Sequence, residues 1–153
     1  MLIISHRGNL EGPLPGCENS LPYIQVALDA GFFVEVDLWF TDSSFWLGHD
    51  SPQYMVSYTF LKSYSHLLWI HCKNLGALYN LLNDGCFNFF YHENDGYTLT
   101  SMKYIWAHPN VSNFSGAIHV MPEKTHNGIF PNLIGVDVVG ICTDFPILYK
   151  RVL

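Results

Sequence analysis

The chain has 153 residues and a mass of 17.5 kDa, a size typical of one domain. Its content of 49% hydrophobic and 16% aromatic residues excludes a disordered chain, and its net charge of −6 argues against a general nucleic-acid-binding protein. Charged residues make up only 13%, about half of the usual share in soluble domains. We therefore expect an unusually apolar surface or one that a partner partly covers.

The N-terminal residues lack the basic segment and the apolar run of a signal peptide. No apolar run approaches the roughly 18 residues that span a bilayer. The four cysteines show no metal-type spacing, and a chain of this length needs no disulfide framework. We expect a soluble, cytoplasmic protein that forms one domain over 1–153 and has no transmembrane segment.

Eight short runs have the length and the apolar, β-branched or aromatic composition of strands. They lie at 2–5, 32–38, 45–48, 67–72, 87–91, 104–107, 117–120 and 138–143.

Helices are predicted between several of these runs. The first begins after Ser20, which can cap it, and ends at Gly31. The second covers 75–85, where leucines recur at helical spacing. A third is predicted over 57–66 and a short one near 131–135.

Eight strands with interspersed helices predict an α/β fold of the TIM-type (β/α)8 barrel class. The chain is shorter than the roughly 200–250 residues that such barrels usually need. We therefore expect a reduced barrel with several outer helices missing or shortened. An open α/β sheet, with some of the runs forming loops, is the alternative.

Polar clusters interrupt this apolar chain where predicted strands end or helices begin. They are HRG (6–8), ENS (18–20), EVD (35–37) and GHD (48–50). Strand geometry places Glu35 and Asp37 on one face, about 7 Å apart along the chain. Two unpaired carboxylates are costly to bury, and a divalent cation would explain them. A pair of surface acids on a half-exposed strand is the alternative.

The order and spacing of these clusters over residues 4–50 resemble the glycerophosphodiester phosphodiesterase family. KN (73–74) and TDFP (143–146) resemble two later motifs of that family, whereas 85–137 shows no resemblance. The resemblance implies a TIM barrel with a hairpin between its second and third strands. It also implies metal-dependent cleavage of a phosphodiester.

The resemblance assigns roles to four residues around the phosphate. His6 and His49 match the two catalytic histidines, which act as general acid and base. Arg7 and Lys73 match the side chains that bind the phosphate. These roles suit the residue types, because a guanidinium binds phosphate through paired donors and imidazole exchanges protons near neutral pH.

Glu35 and Asp37 match metal ligands of the family, but His71 stands where the family has a third acidic ligand. Imidazole favours softer ions such as zinc over magnesium or calcium. Three interpretations of His71 therefore remain. It is a ligand that shifts the metal preference of the site among Mg, Ca, Mn and Zn, or its presence means that the metal site is weakened. Alternatively, it is a histidine of the core with no role in metal binding. Three acids near predicted strand ends are candidates for the missing ligand: Glu93, Glu123 and Asp144.

We therefore expect a hydrolase that cleaves a small-molecule or lipid-derived, glycerophosphodiester-like phosphodiester with a divalent metal ion. The alternative is a degenerate, non-catalytic barrel that binds a phosphorylated ligand. A structural or assembly protein would leave the polar clusters unexplained.

The aromatic runs at 87–91 and 104–107 suggest a homodimer. Both carry apolar side chains on two faces, and their neighbouring connections are too short to supply covering helices. A second copy of the chain would cover them, and a lipid surface is the competing explanation.

Overall fold

The computed structural model describes residues 1–112, 114–125 and 135–153, and in these residues it has ten strands and five helices. The strands are β1 (Leu2–His6), β2 (Phe33–Thr41), β3 (Ser44–Leu47), β4 (Tyr54–Val56), β5 (Leu68–Cys72), β6 (Asn88–Phe90), β7 (Tyr97–Leu99), β8 (Ile105–Ala107), β9 (Ile118–Val120) and β10 (Gly140–Thr143). The helices are α1 (Leu21–Asp29), α2 (Tyr58–Ser63), α3 (Leu75–Leu81), α4 (Pro122–Thr125) and α5 (Pro146–Val152). None of these helices is long and apolar enough to cross a membrane.

All eight predicted strands are present, and the first three predicted helices form α1, α3 and α2. Strands β4 and β7 and helices α4 and α5 were not predicted. The helix predicted near 131–135 falls, except for Gly135, outside the described residues.

Seven strands form a parallel sheet in the order β6-β5-β2-β1-β10-β9-β8. Three antiparallel strands extend this sheet. Strand β3 pairs with β2 and β4 pairs with β3, whereas β7 pairs with β8. Since most strands are parallel, their carboxyl ends meet at one rim of the sheet. This rim carries the polar clusters found in the sequence.

The prediction of a TIM-type (β/α)8 barrel is wrong. The structure is a mixed ten-stranded sheet that curls into a half-barrel, and only 23% of it is helical. Within the described residues no ladder joins β6 to β8; the rings of Phe90 and Trp106 lie 4.6 Å apart there instead. The physical reason is the shortage of helices: in the described residues α1, the longest helix, has nine residues, and no helix lies between β6 and β9 along the chain.

The hairpin predicted between the second and third strands is present. Thr41 pairs with Ser44, so that only Asp42 and Ser43 form the loop. Both loop residues have positive φ, 50° and 58°, as the tight turns that match strand twist require.

Hydrophobic clusters pack on both faces of the sheet. Adjacent strand residues alternate between them: Ile70 belongs to the cluster under the helices, and Trp69 belongs to the cluster on the concave face. Val34 and Val36 also lie on the helix side. Because side chains alternate along the strand, Glu35 and Asp37 face the concave side.

The chain itself buries most of the aromatic side chains on which the homodimer prediction was based. Phe87 and Phe89 pack in the cluster under the helices, whereas Phe90 and Trp106 pack on the concave face. These aromatics need no second copy to cover them. A homodimer stays a prediction that has lost this support.

Helix packing leads to a stability prediction. Leu61 of α2 is fully buried under the sheet, whereas Leu75 at the start of α3 is 77% exposed. We expect Leu61→Ala to lower the free energy of unfolding by about 2–5 kcal/mol, because it removes buried methyl groups and leaves a cavity. The same change at Leu75 should alter it by less than about 0.5 kcal/mol. Urea denaturation of both variants measures the difference, and equal losses would contradict the packing of α2.

Candidate metal and phosphate site

The predicted site residues converge on one cavity at the rim formed by the carboxyl ends of the parallel strands. The cavity has a volume of about 360 Å³. Strand register explains the convergence, because His6 pairs with Glu35 and Asp37 pairs with His71 in adjacent strands. Five of the seven predicted site residues line this cavity: His6, Arg7, Glu35, His49 and His71.

The remaining two, Asp37 and Lys73, contact each other next to the cavity. Oδ2 of Asp37 lies 2.9 Å from Nε of Arg7 and accepts a 2.9 Å hydrogen bond from the Asn19 side chain. Its Oδ1 lies 3.2 Å from Nδ1 of His71 and 3.5 Å from Nζ of Lys73. Burial raises the pKa of Asp37, but the contact with His71 and the two nearby cationic side chains outweigh it, so this pKa lies well below its usual value. Asp37 is therefore a buried, ionised carboxylate.

Glu35 lies on the same face of the strand as Asp37, but its pKa is shifted in the opposite direction. It is 3% exposed, and burial followed by the negative charge of Asp37 raises its pKa above the usual value. The nearest cationic group is His6, whose Nε2 lies 4.0 Å from Oε2 of Glu35. A cation placed between the two carboxylates would relieve this unfavourable burial.

The arrangement of these acids with His71 fits a divalent cation. Among the described residues, Glu35, Asp37 and His71 are the one group of three such side chains whose ligand atoms all lie within 4.8 Å of one another. Oε2 of Glu35 and Oδ1 of Asp37 are buried and accept no hydrogen bond of good geometry. Two carboxylates and an imidazole suit manganese or zinc better than calcium, which prefers oxygen ligands only.

The orientation of His71 supports its role as a ligand. Its Nε2 lies 3.4 Å from the carbonyl oxygen of His92, so a proton on Nε2 can be donated there. Nδ1 lies on the Asp37 side of the ring, and in this tautomer its lone pair would be available to a cation bound there. Metal-ligating histidines usually have this arrangement, with the second ring nitrogen donating to a carbonyl or carboxylate.

Arg7 is held in place by a loop whose backbone is strained at several residues. Arg7 and Asn19 have positive φ, 54° and 63°, and the Arg7 carbonyl accepts a hydrogen bond from the Asn19 backbone. Gly8 also has positive φ, and a Cβ there would lie 3.0 Å from the ring of Tyr23. Glu18 accepts a 3.2 Å hydrogen bond from the Arg7 guanidinium. Backbone strain of this kind is often retained at functional sites.

His6 is oriented by an acid from the other end of the chain. Its Nδ1 lies 2.7 Å from Oδ1 of Asp144, which also accepts a 2.8 Å hydrogen bond from Asn9. Burial lowers the pKa of His6, but the hydrogen bond to Asp144 and the charge of Glu35 outweigh burial, and this pKa lies above its usual value. With Nδ1 held by Asp144, Nε2 is the nitrogen left for chemistry.

The three acids suggested as replacements for the missing ligand serve elsewhere. Asp144 binds His6, as described. Glu123 accepts hydrogen bonds of 3.0 Å from the Thr143 hydroxyl. Glu93 is exposed and accepts a 2.6 Å hydrogen bond from the Tyr91 hydroxyl. In the described residues, His71 and not one of these acids completes the group of ligand atoms.

His49 lies on the loop after β3, at the mouth of the cavity. Its side chain is 45% exposed, and its Nδ1 lies 2.7 Å from the Asp50 carboxylate. The loop is tied to the sheet, because the Gly48 backbone donates to the Asp37 carbonyl and the Trp39 indole donates to the Gly48 carbonyl. Partial burial and the charge of Arg7 lower the pKa of His49.

Sequence reasoning missed a wall of stacked rings beside the predicted ligand. The rings of His71, Phe90 and His92 are nearly parallel, with centroids 4.6–6.0 Å apart. His108 meets His92 edge-on at 6.0 Å. Burial and the neighbouring histidines lower the pKa of His92 to about 4, so its ring is neutral at neutral pH. The only available signal was that His92 and His108 directly follow strand-like aromatic runs.

Comparisons with protein-family models, with curated proteins and with solved structures found no match. The geometry of the site is therefore the basis for assigning a function.

The ligand group yields a prediction about metal preference. We expect the protein to bind one divalent ion at Glu35, Asp37 and His71, with manganese or zinc competing well against magnesium. His71→Glu should shift the preference toward magnesium or calcium, because it creates an all-oxygen site. Isothermal titration with each ion measures the shift, and His66→Ala, which alters an exposed histidine outside the cavity, is the control. Identical metal profiles for His71→Glu and the unmodified protein would exclude His71 as a ligand.

Proposed function

We propose that this protein is a metal-dependent hydrolase of glycerophosphodiester-like phosphodiesters, of small-molecule or lipid-derived origin. The observation that carries the proposal is the meeting of a metal-ligating group with Arg7 and two histidines around one cavity. The open sheet does not weaken it, because sites in α/β sheets form at the carboxyl ends of parallel strands whether or not the sheet closes.

The cationic side chains provide a place for the phosphate. Arg7 offers guanidinium donors, and Lys73 is a compact charge on the other side of Asp37. Both are pre-positioned by Asp37, and Glu18 also holds Arg7. The network therefore fixes two donors where charge develops in the transition state, which is an effective way to stabilise it. A bound divalent ion would add Lewis-acid polarisation of a phosphoryl oxygen.

The two histidines can carry the proton transfers. His6 presents Nε2 while Asp144 holds its other nitrogen, as in acid–base pairs in which a carboxylate sets the tautomer. His49 is more exposed and stands at the mouth, where protons can exchange with solvent. In the proposed reaction one histidine removes the proton of the attacking hydroxyl, from water or from the substrate itself, and the other protonates the leaving alcohol.

Both histidines can be tested with a diester whose leaving alcohol must be protonated. We expect His6→Ala and His49→Ala each to lower turnover of glycerophosphoethanolamine, followed by the released alcohol, by about 10²-fold or more, the usual contribution of a general acid or base. The assay uses manganese-saturated protein, with His66→Ala as the matched control that should keep full turnover. Metal content and thermal melting of each variant show whether the loss is chemical and not structural.

Near-normal turnover in either variant would show that the histidine pair is wrongly assigned. Phosphate binding without turnover of any diester, across several divalent ions, would instead favour a non-catalytic protein that binds a phosphorylated ligand.

A further inference from the structure

The central cavity continues into two arms of opposite chemical character. One arm, of about 330 Å³, shares His6, Arg7 and His49 with the centre and is lined by three carboxylates, Glu18, Asp50 and Asp144. The other arm, of about 320 Å³, continues past His71 toward the ends of β5, β6 and β8. We refer to the latter as the histidine arm. Four histidines line it together with Cys72, Lys73, Tyr91 and Glu93; the histidines are His49, His71, His92 and His108.

The histidine arm is rich in hydrogen-bond donors. Lys73, paired with Asp37 at 3.5 Å and assigned to the diester phosphate, adds a positive charge at the entrance of this arm. Nδ1 of His108 accepts a hydrogen bond from the Asn110 backbone, with the two nitrogens 3.4 Å apart. Nε2 is therefore the nitrogen of this ring that can donate to a ligand.

Negative charge in this arm is scarce. Among the described lining residues Glu93 is its one carboxylate, and that group already accepts the hydrogen bond of the Tyr91 hydroxyl. A lysine and several imidazoles facing a single engaged acid form a site that suits an anion.

A phosphodiester carries two alcohol groups that leave the phosphorus in different directions. With the diester phosphate at Arg7 and Lys73, one alcohol extends into each arm. We propose that the histidine arm binds a second anionic group, a phosphomonoester or a carboxylate, on one alcohol of the substrate. The inference rests on the proposed function, because it takes the position of the diester from it.

Equilibrium binding tests the arm without requiring turnover. The probes are propane-1,3-diyl bisphosphate and propyl phosphate, titrated calorimetrically into manganese-saturated protein. We expect the bisphosphate to bind at least about tenfold more tightly, the effect of one or two charge-assisted hydrogen bonds. The preference should disappear in a protein carrying both His92→Phe and His108→Phe, which keeps the aromatic rings and removes their donors. His66→Ala should retain it.

Equal binding of the two probes, or a preference that survives both phenylalanine substitutions, would overturn the inference. A preference that the double substitution removes supports it.

Hydrolysis distinguishes failure of the arm from failure of the proposed function. The substrates are 4-nitrophenyl diesters whose second alcohol is propanol, 4-hydroxybutanoate or 3-hydroxypropyl phosphate. Faster hydrolysis of the two anionic diesters supports the inference, and the faster of them identifies the anion. Hydrolysis of all three at equal kcat/KM would overturn the arm and leave the function intact. If the protein prefers the bisphosphate but hydrolyses none of the diesters, the proposed hydrolase function is overturned, whereas anion binding in the histidine arm is retained.

Discussion

The burial of two carboxylates on one face of β2 is the constraint on which the site depends. Glu35 and Asp37 alternate with the valines that pack under the helices, so both acids lie on the concave face, and that face is buried as well. Buried charges are tolerated only when they are paired, hydrogen-bonded or bound to a metal. The surrounding loops supply that compensation, and they supply it unequally to the two acids.

Compensation of Asp37 organises the first fifty residues. Its carboxylate receives Arg7 from the loop after β1 and Asn19 from the loop before α1, and its backbone carbonyl receives the loop of His49. Two of these contacts bring Arg7 and His49, residues of the proposed chemistry, to the same rim. Glu35 gains much less: among the described residues its buried Oε2 accepts no hydrogen bond and lies 4.0 Å from His6, so a cation would contribute most there. The same contacts thus stabilise the rim and leave one position ready for a ligand.

Local patterns predicted eight of the ten described strands and the side of β2 that carries the acids, because side-chain alternation depends only on the strand itself. The closure of the sheet could not be predicted in this way, since it depends on which strands pair and on how many helices cover them. The partner of His6 was equally hidden: Asp144 lies 138 positions away, and nothing local separates it from Glu93 or Glu123 as an acid near a strand end. His92 and His108 are joined to the site by ring contacts between separate segments: His92 stacks on His71, and His108 meets His92 edge-on.

The central claim is that Glu35, Asp37 and His71 together hold a divalent cation. The most direct measurement is a crystal structure of the manganese-soaked protein with data collected for anomalous scattering. The account predicts one strong anomalous peak within about 2.0–2.4 Å of a carboxylate oxygen from each acid and of Nδ1 of His71, as first-row ions bind such ligands. A map with no peak between these residues, while Arg7 and Lys73 keep their contacts with Asp37, would contradict it and reduce the cluster to an internal ion-pair network.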